Sequence, residues 1–216
     1  MARRYAQLCP VARSLDLLGA RWTLLIVRDL LLGPLRFSDL LERLPGMGRN
    51  LLTSRLAEMQ EHGLLERKKL PAPASSWVYE LTEAGHELAE PLAALARWGM
   101  KHSDGQPQEG DHLEPDLLAM GLAMAANLER AASLHEEHAF CISGADFHVA
   151  WRDGRPRPHR GLAHSPRIRI ETSAARLGRA LRAHDLSTAS TEIHVSGDTS
   201  ALGEILQLYG LSRANT

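Results

Sequence analysis

The chain has 216 residues, 44% of them hydrophobic and 24% charged, with a formal net charge of −1. That length allows one or two domains with a sizeable core each, and that composition excludes a disordered or fibrous chain. No apolar run reaches membrane-spanning length, the N-terminal residues lack a signal-peptide core, and Cys9 and Cys141 make no disulfide framework, so a cytoplasmic protein is expected.

The first helix is expected over Pro10–Leu18, with Val11, Leu15 and Leu18 turned inward and Pro10 at the favoured first position. Cys9 precedes it, at the positive end of the helix dipole. Residues 21–32 are strongly apolar, with Trp22, Leu24, Leu25, Ile26, Leu30 and Leu31, and predict a buried helix that Gly33-Pro34 stops. Phe37, Leu40, Leu41 and Leu44 mark a further helix. Pro45-Gly46-Met47-Gly48 is a turn. Gly46-Met47-Gly48 resembles a phosphate-binding loop only superficially, because position 51 is Leu and no strand precedes it.

The next helix, over residues 49–62, is the most informative. Leu52, Leu56 and Met59 form a narrow apolar stripe at helical spacing, while Arg49, Asn50, Thr53 and Ser54 lie off it. Gly63 ends the helix. Residues 64–70 read as a strand with three consecutive cations, Arg67, Lys68 and Lys69. Residues 71–76 are a Pro- and Ser-rich loop, and Trp77–Leu81 has the composition of a returning antiparallel strand. Helix, turn, helix and strand pair in this order make a winged helix-turn-helix, which reads duplex DNA. Arg and Asn can pair bidentately with guanine and adenine edges, and hydroxyls can bond bases or phosphates. Cations at a hairpin tip can reach adjacent phosphates. The candidate DNA-binding residues are Arg36, Arg49, Asn50, Thr53, Ser54, Arg55, Arg67, Lys68, Lys69 and Ser76. Taken alone, the helix could equally be an ordinary amphipathic surface helix; the cationic hairpin beside it is what favours DNA.

Thr82 is expected to cap one long helix running through Leu88, Leu92, Leu95 and Trp98 to about residue 100. Its apolar stripe is left uncovered by the rest of the first domain, which suits either pairing of two copies or packing on the second domain.

Residues 9–100 resemble the HxlR family of bacterial winged-helix transcription regulators. The resemblance is carried by Cys9-Pro10-Val11, Leu18-Gly19-Ala20-Arg21-Trp22-Thr23-Leu24-Leu25-Ile26 and Gly33-Pro34-Leu35-Arg36-Phe37-Ser38-Asp39-Leu40. It continues in Arg49-Asn50-Leu51-Leu52-Thr53-Ser54-Arg55-Leu56, Glu61-His62-Gly63-Leu64-Leu65 and Tyr79-Glu80-Leu81-Thr82-Glu83-Ala84-Gly85. It implies a homodimeric DNA-binding repressor or activator that pairs through its first and last helices. Val11, Leu15, Leu88, Leu92, Leu95 and Trp98 are then the dimerisation candidates. The resemblance also implies Cys9 as a candidate redox sensor, with no second cysteine in this domain to resolve it.

Residues 103–114 are polar, with Gly and Pro, and read as a linker between a domain of residues 1–102 and one of residues 115–216. In the latter, a helix is expected over 117–134, then strands around Phe140-Cys141-Ile142 and Phe147, Val149 and Trp151. Asp153-Gly154 signals a hairpin returning over residues 155–160. Strands at Ile168, Ile170 and at Ile193, Val195 alternate with helices over 174–183 and 202–209. This α+β order resembles the sterol-carrier-protein type 2 fold, on the strength of Phe147-His148-Val149, Arg167-Ile168-Arg169-Ile170-Glu171-Thr172 and Glu192-Ile193-His194-Val195-Ser196-Gly197-Asp198. The resemblance implies an apolar cavity and a hydrophobic small-molecule effector; a purely structural or dimer-supporting domain is the alternative.

Charge separates the two parts. Residues 1–79 hold 12 Lys/Arg and 7 Asp/Glu, a balance of +5, and residues 103–216 hold 11 and 15, a balance of −4. The basic part suits a polyanion, and the acidic part is expected to stay off the DNA face. His135-Glu136-Glu137-His138 misses the metalloprotease spacing and reads as the polar end of a helix. No nucleophile elbow or zinc-type cysteine pair is present. The expectation is therefore a non-enzymatic, cofactor-free and metal-free DNA-binding regulator without membrane association, whose partners are an operator and a second copy of itself. The competing class, a lipid-binding carrier that uses the winged helix for protein contacts, leaves the +5 balance around the recognition helix without a role.

Overall fold

The computed structural model describes residues 4–102, 114–183, 186 and 193–212, so nearly all of the expected linker falls outside the described residues. The chain forms two compact units, Met1–Leu92 and Ala93–Thr216.

The first unit contains α1 (Pro10–Leu18), α2 (Thr23–Leu30), α3 (Phe37–Arg43), α4 (Arg49–Glu61), β1 (Leu65–Lys69), β2 (Trp77–Leu81) and α5 (Glu83–His86). α2 is the hub. Ile26, Val27 and Leu30 are buried, and so are Leu40 and Leu44 of the α3 segment, Leu52, Leu56 and Met59 of α4, and Leu65, Val78 and Leu81 of the hairpin. Asp29 of α2 is fully buried, with Arg28 Nε at 3.2 Å and Arg43 Nη2 at 3.7 Å. A charge out of water needs such partners, so this pair ties α2 to α3. Leu35 adds one rung to the hairpin by exchanging backbone hydrogen bonds with Tyr79.

Two expectations for this unit need correction. Val11 and Leu15 do not point inward: they are 66% and 44% exposed, and Ala12 is the buried residue of α1. Among the described residues nothing covers them. The long helix after Thr82 is also interrupted. It is α5 followed by α6 (Ala89–His102), with a turn at Glu87-Leu88 between them. Pro91 has no N–H for the Glu87 carbonyl and its ring crowds that oxygen, which breaks the ladder there. Gly85, whose N–H is capped by Thr82 Oγ1, lies so close to β1 that a Cβ would sit 2.1 Å from the Leu64 oxygen.

The second unit holds a mixed five-stranded sheet. Its strands are β3 (Glu137–Ile142), β4 (Ala145–Arg152), β5 (Arg155–Arg160), β6 (Pro166–Thr172) and β7 (His194–Gly197), in the order β5-β4-β3-β6-β7. The β3–β6 pair is parallel and the other pairs are antiparallel. Both hairpin turns, Ser143-Gly144 and Asp153-Gly154, have two consecutive positive φ angles, the geometry that matches strand twist. Phe140, Phe147, Val149, Trp151, Ile168 and Ile170 share one sheet face and a core with residues from α7 (Pro115–Ala125), α8 (Ala174–Ala183) and α9 (Leu202–Leu208).

The helix expected over 117–134 stops at Ala125. Asn127 explains the stop: its Oδ1 accepts the N–H groups of Glu129 and Arg130, a local bond that competes with helix, and its own N–H goes to the Leu208 oxygen. His135-Glu136-Glu137-His138 is accordingly no helix end. Glu137 and His138 open β3, and His138 is fully buried.

His138 belongs to an internal polar chain. Tyr209 Oη accepts from Trp151 Nε1 at 3.0 Å and lies 2.8 Å from His138 Nδ1. His138 Nε2 lies 2.7 Å from Glu136 Oε1, and Glu136 meets Arg167 at 3.2 Å. A neutral imidazole that donates from Nε2 and accepts the tyrosyl proton at Nδ1 satisfies each of these groups. Burial holds the His138 pKa below its ordinary value against the opposing pull of Glu136, and burial pushes the Tyr209 phenol far up. Because the folded pKa of His138 lies below the unfolded 6.5, its contribution to stability is complete above pH 6.5 and is lost as pH falls through the folded value. The melting temperature of the wild type should therefore drop more steeply from neutral to mildly acid pH than that of His138→Gln; equal slopes would remove His138 from the pH response.

Candidate nucleic-acid interface

The recognition surface follows from how little of α4 is buried. Leu52, Leu56 and Met59 seat the helix, while Arg49, Asn50, Thr53 and Ser54 are exposed on its other sides. Gly48 provides the extended N-cap, and Gly63, at φ +70°, takes the left-handed position that ends the helix before β1. Arg49 stacks 5.5 Å from the Phe37 ring, which brings the start of α4 against the start of α3, next to exposed Arg36. Thr53 Oγ1 donates to the Arg49 oxygen at 2.9 Å, leaving its lone pairs outward. Ser54 and Arg55 both bond Glu58, and the Arg55 side chain is only 15% exposed. Arg55 is thus already matched by a carboxylate within its own helix, and Arg49 and Asn50 are the exposed long polar side chains at the N-terminal end of α4.

The wing departs from the expectation of three cations acting together. In the β1–β2 register Arg67 lies opposite Tyr79, Lys68 opposite Val78 and Lys69 opposite Trp77. Side chains alternate across a strand, so Arg67 and Lys69 share one face and Lys68 takes the other. On that other face Lys68 Nζ meets Glu80 Oε2 at 3.0 Å, which raises the lysine pKa. Arg67 instead lies 4.7 Å from the exposed Trp77 ring. Trp77 was not among the candidates, and the clue was its period-two match with Arg67 and Lys69 across the hairpin. Ser76, expected to face DNA, has its Oγ shut off from solvent.

The remaining candidates are positioned as follows. Cys9, at the N-cap of α1, is half-buried. Leu88 is half-buried and Leu92 buried, whereas Leu95 and Trp98 of α6 are 52% and 61% exposed, with Trp98 stacked on His102. His135 pairs with Asp153 at 3.3 Å while His138 points into the core, so the two histidines of that segment diverge. Among the described residues no group of three His, Cys, Asp or Glu is placed to hold a metal, and no helix is long and apolar enough to cross a membrane.

A short helix, a turn, a helix with a polar outer face and a cationic hairpin define a winged helix-turn-helix. Residues 17–107 match the model of the HxlR-like helix-turn-helix family. The chain is 37% identical over 117 residues, half of its own length and 73% of the relative's, to an uncharacterized HTH-type transcriptional regulator of Mycobacterium tuberculosis. It is 35% identical over 92 residues, 42% of the chain and 82% of the relative, to the HTH-type transcriptional regulator YodB of Bacillus subtilis. The solved reduced form of YodB is 31% identical, with a TM-score of 0.41, and is covered completely by 47% of this chain. This chain belongs to the HxlR-like helix-turn-helix family of transcriptional regulators, through its N-terminal part.

The split of the wing cations gives a measurable difference. Arg67→Ser with Lys69→Ser should flatten the salt dependence of DNA affinity by roughly two counterions, whereas Lys68→Ser, already neutralised by Glu80, should change it little. Fluorescence-anisotropy titrations at several salt concentrations decide this; equal effects of Lys68 and Lys69 substitutions would remove the face assignment.

Proposed function

We propose that the chain is a homodimeric repressor that reads a two-fold operator with paired copies of α4. The carrying observation is the thin apolar back of α4, which leaves Arg49, Asn50, Thr53 and Ser54 exposed together near its N-terminus. In this reading Asn50 and Arg49 address base edges, Thr53 and Ser54 bond bases or phosphates, and Arg36, Arg67 and Lys69 hold the flanking backbone. Arg55 supports the helix through Glu58, and Lys68 supports the wing through Glu80.

One recognition helix covers too few base pairs for a usable operator, so two half-sites about 34–36 Å apart are expected. The uncovered apolar side chains of α1 and α6, Val11, Leu15, Leu95 and Trp98, supply material for pairing. Leu88 and Leu92 contribute from beneath as packing. We further assign residues 1–102 to DNA binding and dimerisation, 103–114 to a linker and 115–216 to a sterol-carrier-like sensor for a hydrophobic small molecule. The mixed sheet with α7, α8 and α9 against one face supports that last assignment. Cys9, half-buried at a helix start, is assigned as a thiol that answers oxidants.

Asn50→Ala should cost roughly 1–3 kcal/mol at one or two operator positions and leave non-specific binding nearly intact. Binding-site selection from random duplexes checks this, and an identical motif from wild type and variant would withdraw Asn50 from the base edges. Val11→Glu with Leu95→Glu, both at exposed positions, should halve the mass seen by light scattering. A variant that stays dimeric would move the interface elsewhere. Band shifts repeated with a long-chain fatty acid, and with diamide on wild type against Cys9→Ser, test the two sensing assignments; no response in either withdraws them.

A further inference from the structure

The second unit carries a cationic strip that its acidic balance conceals. Residues 152–160 hold Arg152, Arg155, Arg157, His159 and Arg160 against one carboxylate, Asp153. β5 is the outer strand of the sheet, and it pairs Arg155 with Arg152, Arg157 with Ala150 and His159 with His148. These residues therefore share the sheet face opposite the one that carries Trp151 and Val149 into the core. Arg155, Arg157 and His159 follow one another at two-residue intervals, about 6.8 Å apart. His148 and His159 stack with ring centroids 5.1 Å apart, which holds that end of the strip in place.

Nearby carboxylates are committed elsewhere and do not neutralise Arg155 and Arg157. Glu137 stands 3.7 Å from Arg152 and also accepts the N–H groups of His164 and Ser165. Asp146 and Glu171 are both taken by Arg169 at 2.8 Å. Asp153 lies against His135, and Arg160 is turned to the other face, where Asp116 holds it at 2.8 Å. The Arg155 and Arg157 side chains are exposed, with neither ion pair nor hydrogen bond among the described residues. An unmatched pair of guanidinium groups in register is suited to phosphates.

The strand is also a poor template for a peptide. Pro156 and Pro158 alternate with the arginines and have no N–H to offer a further strand, so edge-to-edge pairing with a protein segment is obstructed. An anion that needs no backbone pairing remains, and the first unit already brings a polyanion to the molecule.

We infer that the Arg155–Arg157 strip is an accessory contact for the phosphates of duplex DNA, lying outside the helix-turn-helix. The inference rests on the proposed function. It adds sequence-independent affinity, because contacts to the backbone position a protein without reading bases.

The test uses the full chain and a fluorescein-labelled duplex of arbitrary sequence, titrated by anisotropy over a series of potassium chloride concentrations. Arg155→Ser with Arg157→Ser should make the slope of log affinity against log salt shallower by about 1.8, the release expected for two phosphates. Arg155→Lys with Arg157→Lys should keep the wild-type slope, and unchanged melting curves for both variants confirm that the exposed strand still folds. A serine variant with the wild-type slope would overturn the strip alone, since the wild type would still bind. A wild-type chain with no affinity for duplex would overturn the strip and the proposed function together. Vesicles of phosphatidylglycerol and phosphatidylcholine provide the second arm. If the serine variant loses vesicle binding while its DNA slope is unchanged, the strip faces a lipid surface and the inference is wrong.

Discussion

Everything in the first unit depends on how α4 is seated. Its anchor is the buried set Leu52, Leu56 and Met59, each worth roughly 1.5–3 kcal/mol of apolar burial. A stripe that narrow leaves most of the helix circumference in water, which is what a groove-reading helix requires. The surroundings hold it from both ends. Gly48 and the Phe37 stack with Arg49 fix its start, while Gly63 turns the chain sharply into β1. The Asp29–Arg43 pair beneath locks α2 to α3, so the helix docks on a support with few alternative arrangements.

Polar groups in the two units are treated in opposite ways. Around α4 and the wing, several charges are satisfied locally, Arg55 by Glu58 and Lys68 by Glu80, and those left over are the ones available to a polyanion. Inside the second unit one polar series is matched throughout. Trp151, Tyr209, His138, Glu136 and Arg167 form a connected series in which each group has a partner. In low dielectric an unmatched member would carry the full desolvation cost, so the series also fixes how α9 and the β3–β6 centre of the sheet are joined.

Charge sums over whole segments conceal this organisation. The second part is negative overall, yet seven of its described carboxylates are committed to Arg152, Arg160, Arg167 and Arg169. What a partner meets at β5 is set by Arg155 and Arg157, which have no such commitments among the described residues. The exposed leucine and tryptophan side chains of α6 make the same point for apolar surface: burial within one chain does not account for them.

Local chemistry alone determined much of this protein. The apolar stripe of α4, the glycine after it, the composition of β2 at Trp77–Leu81, the Asp153-Gly154 turn and the extents of β5 and α8 all follow from short-range spacing and turn preference. So did family membership, because the motif residues of the helix-turn-helix lie close together in the chain. Tertiary structure decided the rest. That Lys68 turns from Arg67 follows from alternation along the strand, but the partner that holds it, Glu80, comes from the opposite strand. Pro91 and Asn127 end helices whose apolar period continues past them, since a missing donor and a competing side-chain acceptor outweigh periodicity. His138 looked like a polar helix end because its partners Tyr209 and Trp151 are distant in sequence, and only folding brings them within hydrogen-bonding reach.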